Sequence, residues 1–195
     1  MPGNRNVSPQ DEYDLLQRAR SLDESALGAV FDTYYRPLYR YLYTHLGHRP
    51  TAEDLTAEVF RVFLEQVGAG RGPTEMLRAW LYRVAHNLMV DELRRRRHHE
   101  HDPLDEVLPA GGPAVSSLAQ QGEQHKAVLA ALRRLSPKQQ AVLTLKYLQG
   151  LENVEIAQAL RLTPGTVRAL QFRGLRALRR HLEQDGLLGK EMDEE

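Results

Sequence analysis

Between Ser136 and Leu178 the chain reads SPKQQAVLTLKYLQGLENVEIAQALRLTPGTVRALQFRGLRAL, and this stretch decides the fold. Ser136-Pro137-Lys138-Gln139 has the form of a helix start: a hydroxyl to accept an orphan N–H, a proline at the first helical position and a glutamine three residues on. The helix carries Val142, Leu145 and Leu148 and stops at Gly150. A second helix begins at Glu152 or Asn153, with Val154, Ile156, Ala157 and Leu160 apolar. The short turn Arg161-Leu162-Thr163 follows, with Thr163 as cap and Pro164 at the first position of the last helix. Two helices joined so tightly, the second of them basic, predict a helix-turn-helix.

Spacing sorts the faces of the last helix. Val167, Leu170, Gly174 and Leu178 share one stripe and are expected to pack inward. Arg168, Ala169, Phe172, Arg173 and Arg176 share another. Arginine suits phosphate oxygens and guanine edges, and an apolar ring can press on a thymine methyl. The helix start, with Thr166 in its first turn, can also face a phosphate. The alternative is a solvated helix whose arginines complement its C-terminal dipole. The tight turn and the outward Phe172 favour the nucleic-acid reading, because an exposed aromatic is costly without a partner.

Working toward the N-terminus, the pattern stays helical. Ser8-Pro9-Gln10-Asp11 reads as a capped start, followed by a short helix to about Arg20. A longer one is expected after Asp23, with Leu27, Phe31, Tyr34, Leu38 and Leu42 inward and Pro37 as a candidate kink. Thr51-Ala52-Glu53-Asp54 reads as a capping box opening a helix with Leu55, Val59 and Phe63 on one face. Gly68 to Pro73 breaks the chain, and Thr74 is expected to cap a helix carrying Leu77, Trp80, Leu81, Val84, Leu88 and Leu93 inward. No alternating strand pattern of useful length occurs. The expectation is an all-α chain of two small helical domains, a helical bundle and a helix-turn-helix, joined by a flexible linker.

The formal net charge of zero conceals strong polarisation. Between His98 and His125 there are five acids and no Lys or Arg, whereas Arg161 to Arg180 holds six arginines and no acid. Arg94, Arg95, Arg96 and Arg97 form a second basic run. Two basic stripes around an acidic middle suggest two contacts with a polyanion. Cysteine is absent, which removes disulfides, thiolate metal sites and cysteine nucleophiles. Met1 to Gln10 lacks the apolar stretch of a secretory signal, and no run approaches the roughly 20 apolar residues that cross a bilayer. A soluble cytoplasmic protein, with no membrane insertion, is expected.

The segments Leu135-Ser136-Pro137 through Leu148, Glu155-Ile156-Ala157 and Gly165-Thr166-Val167-Arg168 resemble region four of the extracytoplasmic-function (ECF) group of sigma-70 family factors. Independently, Ala52-Glu53-Asp54-Leu55 with Glu58-Val59-Phe60 resembles region 2.2. Ala79-Trp80-Leu81-Tyr82-Arg83-Val84-Ala85-His86-Asn87 with Asp91-Glu92-Leu93-Arg94-Arg95 resembles regions 2.3 and 2.4. The resemblance covers roughly Asp11 to Leu182 and divides the chain into a disordered tail at 1–10, region two at 11–97, an acidic linker at 98–122, region four at 123–186 and an acidic tail at 187–195.

What the resemblance implies is a specificity subunit of RNA polymerase without catalysis of its own or any cofactor. Its partners would be core polymerase, through the β′ clamp helices and the β flap, and promoter DNA, in the bacterial cytosol and on the nucleoid when active. An anti-sigma factor is a further partner that the sequence neither shows nor excludes. Carried over by position, Glu53, Asp54 and Glu58 would face the clamp helices. Trp80, Arg83, Asn87, Arg94 and Arg95 would meet the −10 element, and Thr166, Arg168, Ala169, Phe172, Arg173 and Arg176 the −35 element. Ala169 stands where many members carry serine, and the order Leu170-Gln171 departs from the commoner one.

Structural readings stand beside these. Trp80 also lies on the apolar stripe, which favours core packing over base stacking. Asn87 suits a structural hydrogen bond, Asp54 the acid of a capping box, and the four arginines a solvated helix end. Asp102, Asp105 and Glu106 fit either a tether or a mimic of nucleic acid. His98, His99, Glu100 and His101 invite a metal reading, but adjacent residues seldom converge on one ion. A stand-alone DNA-binding regulator and a protein-docking module are the other function classes. Association with core polymerase separates the first of these from a sigma factor.

Overall fold

The computed structural model describes residues 8–99 and 127–187. Among them every regular element is a helix and no strand occurs. Of the described residues, 8–99 with 158–161 fall in one compact unit and 127–157 with 162–187 in a second. Met1 to Val7, the linker expected at 98–122 and the tail expected at 187–195 lie outside the described residues, except at 98, 99 and 187. No helix among the described residues is long and apolar enough to cross a membrane.

The first unit contains α1 (Pro9–Arg20), α2 (Glu24–Leu46), α3 (Arg49–Gly68) and α4 (Leu77–His99). Ser8 caps α1 as expected, its hydroxyl accepting from the Asp11 amide at 3.1 Å. Asp23 caps α2 by accepting from Ser25 and Ala26. Pro37 lies inside α2 without ending it. The buried stripe of α2 is Ala26, Val30, Tyr34, Leu38, Tyr41 and Leu42. Phe31, expected inward, is 45% exposed and lies against Tyr35 and Phe60 at ring distances of 5.0 and 4.8 Å. The buried stripe begins at Ala26 and Val30 in place of Leu27 and Phe31 and coincides with the expected one at Tyr34, Leu38 and Leu42.

Two helix starts differ from expectation. α3 begins before Thr51: His48 is its N-cap, with Nδ1 accepting from the Thr51 amide at 3.3 Å and Pro50 in the first turn. Thr51 Oγ1 instead accepts from Arg96 Nη2 at 2.9 Å, which ties α3 to α4. Nor does Thr74 cap α4. Met76, in the left-handed region with φ 50°, precedes Leu77. The orphan amide of Arg78 donates to Glu12 Oε1 of α1 at 3.2 Å, while Tyr34 Oη donates to Glu12 Oε2 at 3.1 Å. One carboxylate thus joins three helices, a cap supplied across the fold rather than along the chain.

Along α4 the buried side chains are Leu77, Ala79, Trp80, Leu81, Tyr82, Ala85 and Met89. Val84, Leu88 and Leu93, expected inward, are half-buried because the contact face turns toward Tyr82, Ala85 and Met89. Tyr41 and Tyr82 meet edge to face at 5.5 Å, and the buried Tyr41 hydroxyl hydrogen-bonds His86 Nδ1 at 2.9 Å.

The second unit begins with helical residues 127–133, α5. Then come α6 (Pro137–Leu143), a widened π-turn over Thr144–Leu148, α7 (Asn153–Leu160) and α8 (Pro164–Gln184). Ser136 and Gln139 form the reciprocal capping box that the sequence predicts. Gly150, with φ 69°, reverses the chain after the π-turn. Leu132, Leu135 and Leu143 make the local core, closed by Val128, Leu129, Leu148, Ala177 and Leu178. Of the apolar residues of α7, Ile156 and Ala157 are buried and Val154 is 61% exposed.

Burial holds the His86 imidazole down at about 4 against an ordinary 6.5. The folded state therefore keeps this ring neutral where the unfolded chain would protonate it. Stability is fully present above pH 6.5 and is lost as pH falls toward 4, by about 3 kcal/mol from this group. We expect denaturant midpoints of the chain to decline across that window and the His86 ring resonances to titrate near 4. A ring titrating at the ordinary value would show that the Tyr41–His86 contact opens to solvent.

Candidate nucleic-acid interface

The exposed face of α8 is produced by the way the helix is seated. Val167, Leu170 and Gly174 are buried, and Leu178 is half-buried against the local core. At Gly174 the approach is close: a Cβ there would lie 3.1 Å from Leu143 Cδ1 and 3.4 Å from Gln139 Cβ. A helix fixed on this stripe must present Arg168, Ala169, Phe172, Arg173 and Arg176 outward, and all five are exposed. Phe172 is 63% exposed, with the Arg176 guanidinium 5.8 Å from its ring centre. Arg173 Nε donates to the Ala169 carbonyl at 3.3 Å, so that guanidinium leans back along the helix.

The start of α8 is well defined. Thr163 Oγ1 accepts from the Thr166 amide at 3.2 Å, and the two threonine hydroxyls lie 2.9 Å apart. Before it, Arg161 takes a left-handed conformation with φ 53°, and the Leu162 amide donates to the Ala157 carbonyl at 2.8 Å. Leucine-rich packing holds the middle, and at the far end Arg134 grips Asp185 at 2.9 and 3.1 Å and Gln184 at 3.1 Å. A rigid helix is left with a cationic and aromatic face, suited to an anionic polymer with π-faced and methyl-bearing bases.

Gln171 was not anticipated as a contact. It is half-buried, and its Nε2 donates to Asn153 Oδ1 at the start of α7 at 2.8 Å. No local pattern foretells it, because the partners stand 18 residues apart.

In the first unit, Arg83, Asn87 and Arg94 recur at helical spacing along one side of α4. Asn87 and Arg94 are exposed and Arg83 is half-buried. Trp80 is only 8% exposed, with its ring packed edge-on to Phe63 at 5.8 Å. The structural reading of this tryptophan is the one the packing supports. The basic run is partly balanced: Arg94 lies 3.8 Å from Asp91, Arg95 3.7 Å from Glu92, and Arg96 2.8 Å from Glu92. The exposed Arg94–Asp91 pair is worth little and yields readily to a stronger anion.

On α3 the acids differ among themselves. Glu53 is bound by Arg49 at 2.8 Å. Glu58 receives Arg61 Nε at 2.7 Å, and that hydrogen bond holds its carboxyl below the ordinary range. Asp54 is exposed and has no ion pair among the described residues. Among the described residues no group of His, Asp and Glu is placed to hold a metal ion; the side chains of His98 to His101 lie outside them.

Comparison with known proteins adds lineage to this geometry. Residues 30–99 match the family model for Sigma-70 region 2 and residues 125–178 that for Sigma-70, region 4. The ECF RNA polymerase sigma factor BldN of Streptomyces coelicolor is 35% identical over 176 residues, 88% of this chain and 66% of that relative. The ECF RNA polymerase sigma factor SigX of Bacillus subtilis is 30% identical over 185 residues, 88% of this chain and 90% of that relative. Among solved structures, CnrH in complex with the cytosolic domain of CnrY superposes with a TM-score of 0.68 at 20% identity, over 89% of this chain and 98% of that one. The sigma factor RpoE in complex with the anti-sigma factor NepR from Bartonella quintana gives 0.63 at 20% identity, over 81% and 97%. These two likenesses concern the fold.

Proposed function

The chain belongs to the ECF sigma factors of the sigma-70 family, and on that premise we propose that it binds core RNA polymerase and directs initiation by reading a −35 element with α8 and opening a −10 element along α4. The observation that carries this reading is the outward face of α8, where an exposed phenylalanine stands among arginines on a helix fixed from behind by Val167, Leu170 and Gly174. Arg168 and Arg173 reach base edges or phosphates, and Phe172 offers an apolar surface to a base. Thr166, in the first turn, and Arg176, further along, flank that contact.

Strand opening needs groups that hold unpaired bases next to a backbone. Asn87, Arg83 and the Arg94–Arg95 pair supply amide and cation on one helix. Trp80 supports that surface from within the core. On α3, Asp54 with Glu53 and Glu58 forms the acidic contact for the β′ clamp helices, while the second unit meets the β flap. The chain performs no chemistry of its own: the polymerase supplies the active site. It acts in the cytosol, on the nucleoid when engaged. An anti-sigma factor is a natural partner, since RpoE, which shares the fold, is bound to the anti-sigma factor NepR in its structure.

Transcription in vitro with purified core enzyme, this chain and a pool of promoter fragments tests the proposal. Start sites that depend on the chain support it; no transcripts and no association with core on a sizing column would replace it with a stand-alone DNA-binding protein. On a promoter so found, Arg173→Ala is expected to weaken −35 recognition by about 1–3 kcal/mol if it makes a bidentate base contact. An equal loss on every sequence would assign it to phosphate. Asp54→Arg is expected to abolish pull-down of core while the circular dichroism spectrum stays helical, and unchanged pull-down removes the α3 assignment.

A further inference from the structure

The two helices that bracket the Arg161-Leu162-Thr163 turn are held at more than their shared corner. Leu160, the end of α7, and Pro164, the start of α8, flank that turn. Asn153 stands seven residues before Leu160 and Gln171 seven after Pro164, one on each helix. At 1.5 Å per residue both lie about 10 Å from the corner. Their amides meet there, Gln171 Nε2 donating to Asn153 Oδ1 at 2.8 Å. Burial of Ile156 and Ala159 seats α7, and the tie at the open end narrows how far the two helices can still open or close about the corner.

The neighbourhood of Asn153 strengthens the tie. Glu152 precedes α7 and receives Lys146 Nζ from the π-turn at 3.0 Å, while its amide donates to Glu155 Oε2 at 2.6 Å. The start of α7 is therefore held to the π-turn on one side and to α8 on the other. Gln171 lies between Leu170, which is buried, and Phe172, which is exposed. Its half-buried side chain points to the partner helix rather than outward with Arg168 and Phe172.

We infer that Gln171 is a positioning residue for promoter recognition: through Asn153 it fixes the angle between α7 and α8, and with it the attitude of the Arg168–Phe172–Arg173 face against DNA. This rests on the −35 reading proposed above. Loss of the tie leaves the fold intact but lets the angle between α7 and α8 vary, and with it the tilt of the exposed α8 face, so that matched and mismatched sequences are told apart less well.

The test uses the full chain in holoenzyme on a promoter where the wild type initiates, and measures the ratio of initiation from the matched −35 element to that from a scrambled one. Asn153→Asp with Gln171→Glu sets two carboxylates against each other; Asn153→Asp with Gln171→Lys restores a donor facing an acceptor. We expect the ratio to fall roughly three- to tenfold in the first variant and to recover in the second. Thermal midpoints of both should match the wild type. Taking a ratio cancels the uniform gain or loss that an added charge brings to any DNA. An unchanged ratio in the carboxylate pair, no recovery with lysine, or a fall that tracks a lowered midpoint overturns the inference. Equal use of both sequences by the wild type overturns the −35 reading itself, and the inference with it.

Discussion

A missing methyl group governs the second unit. Where α8 crosses α6, Gly174 lets the helix backbone sit against Leu143 at a distance that a Cβ would crowd. Leu170 and Val167, one and two turns earlier, are buried on the same stripe. Once that stripe is seated, the helix has no rotational freedom left, and the direction of every other side chain on it follows. The arginines and Phe172 face outward because the inward positions are taken. Charge does not orient this helix; packing does, and charge is then carried on the side that packing leaves free.

The first unit is organised by a few polar groups that cross between helices. Glu12 accepts from the backbone of α4 and from Tyr34 of α2, so that the start of α4, just after the glycine-rich break, is held by α1. Arg96 reaches Thr51 near the start of α3. Tyr41 and His86 pair inside the core, where burial keeps the imidazole neutral. Each tie places a helix end or a helix face that bears candidate contacts: Asp54 on α3, and Asn87 and Arg94 on α4. The apolar core between them, with Phe63 and Trp80 edge to face, supplies the bulk of the cohesion but less of the register.

Much of this was legible in the sequence, and the reasons are local. The Ser136 capping box, the Thr163 cap with Pro164, and the stripe Val167, Leu170 and Gly174 involve residues within a turn or two of one another, so spacing alone reveals them. What escaped was long-range. The cap on α4 belongs to Glu12, 66 residues from its amide partner, and Thr74 was credited only because it was the nearest suitable hydroxyl. His48 was passed over as a cap because an imidazole in that role is uncommon next to a threonine. Phe31 satisfied the helical period, yet its face meets Tyr35 and Phe60 at the surface, which periodicity cannot distinguish from a core. The outward arginines were found; the Gln171–Asn153 bond that ties their helix to α7 was not, since neither amide looks unusual in its own segment.

The π-turn at Thr144–Leu148 bears on how chains of this fold should be aligned. A turn closed from Gln149 back to Thr144 holds one residue more than an α-helical turn. A chain that lacked the widening would be one residue shorter here while keeping α6 and α7 in place. The difference would register as a single-position gap in a comparison, not as a substitution. Forcing the two chains into ungapped register would rotate every residue after Leu148 by about 100° around the helix axis, and would pair inward positions of one with outward positions of the other.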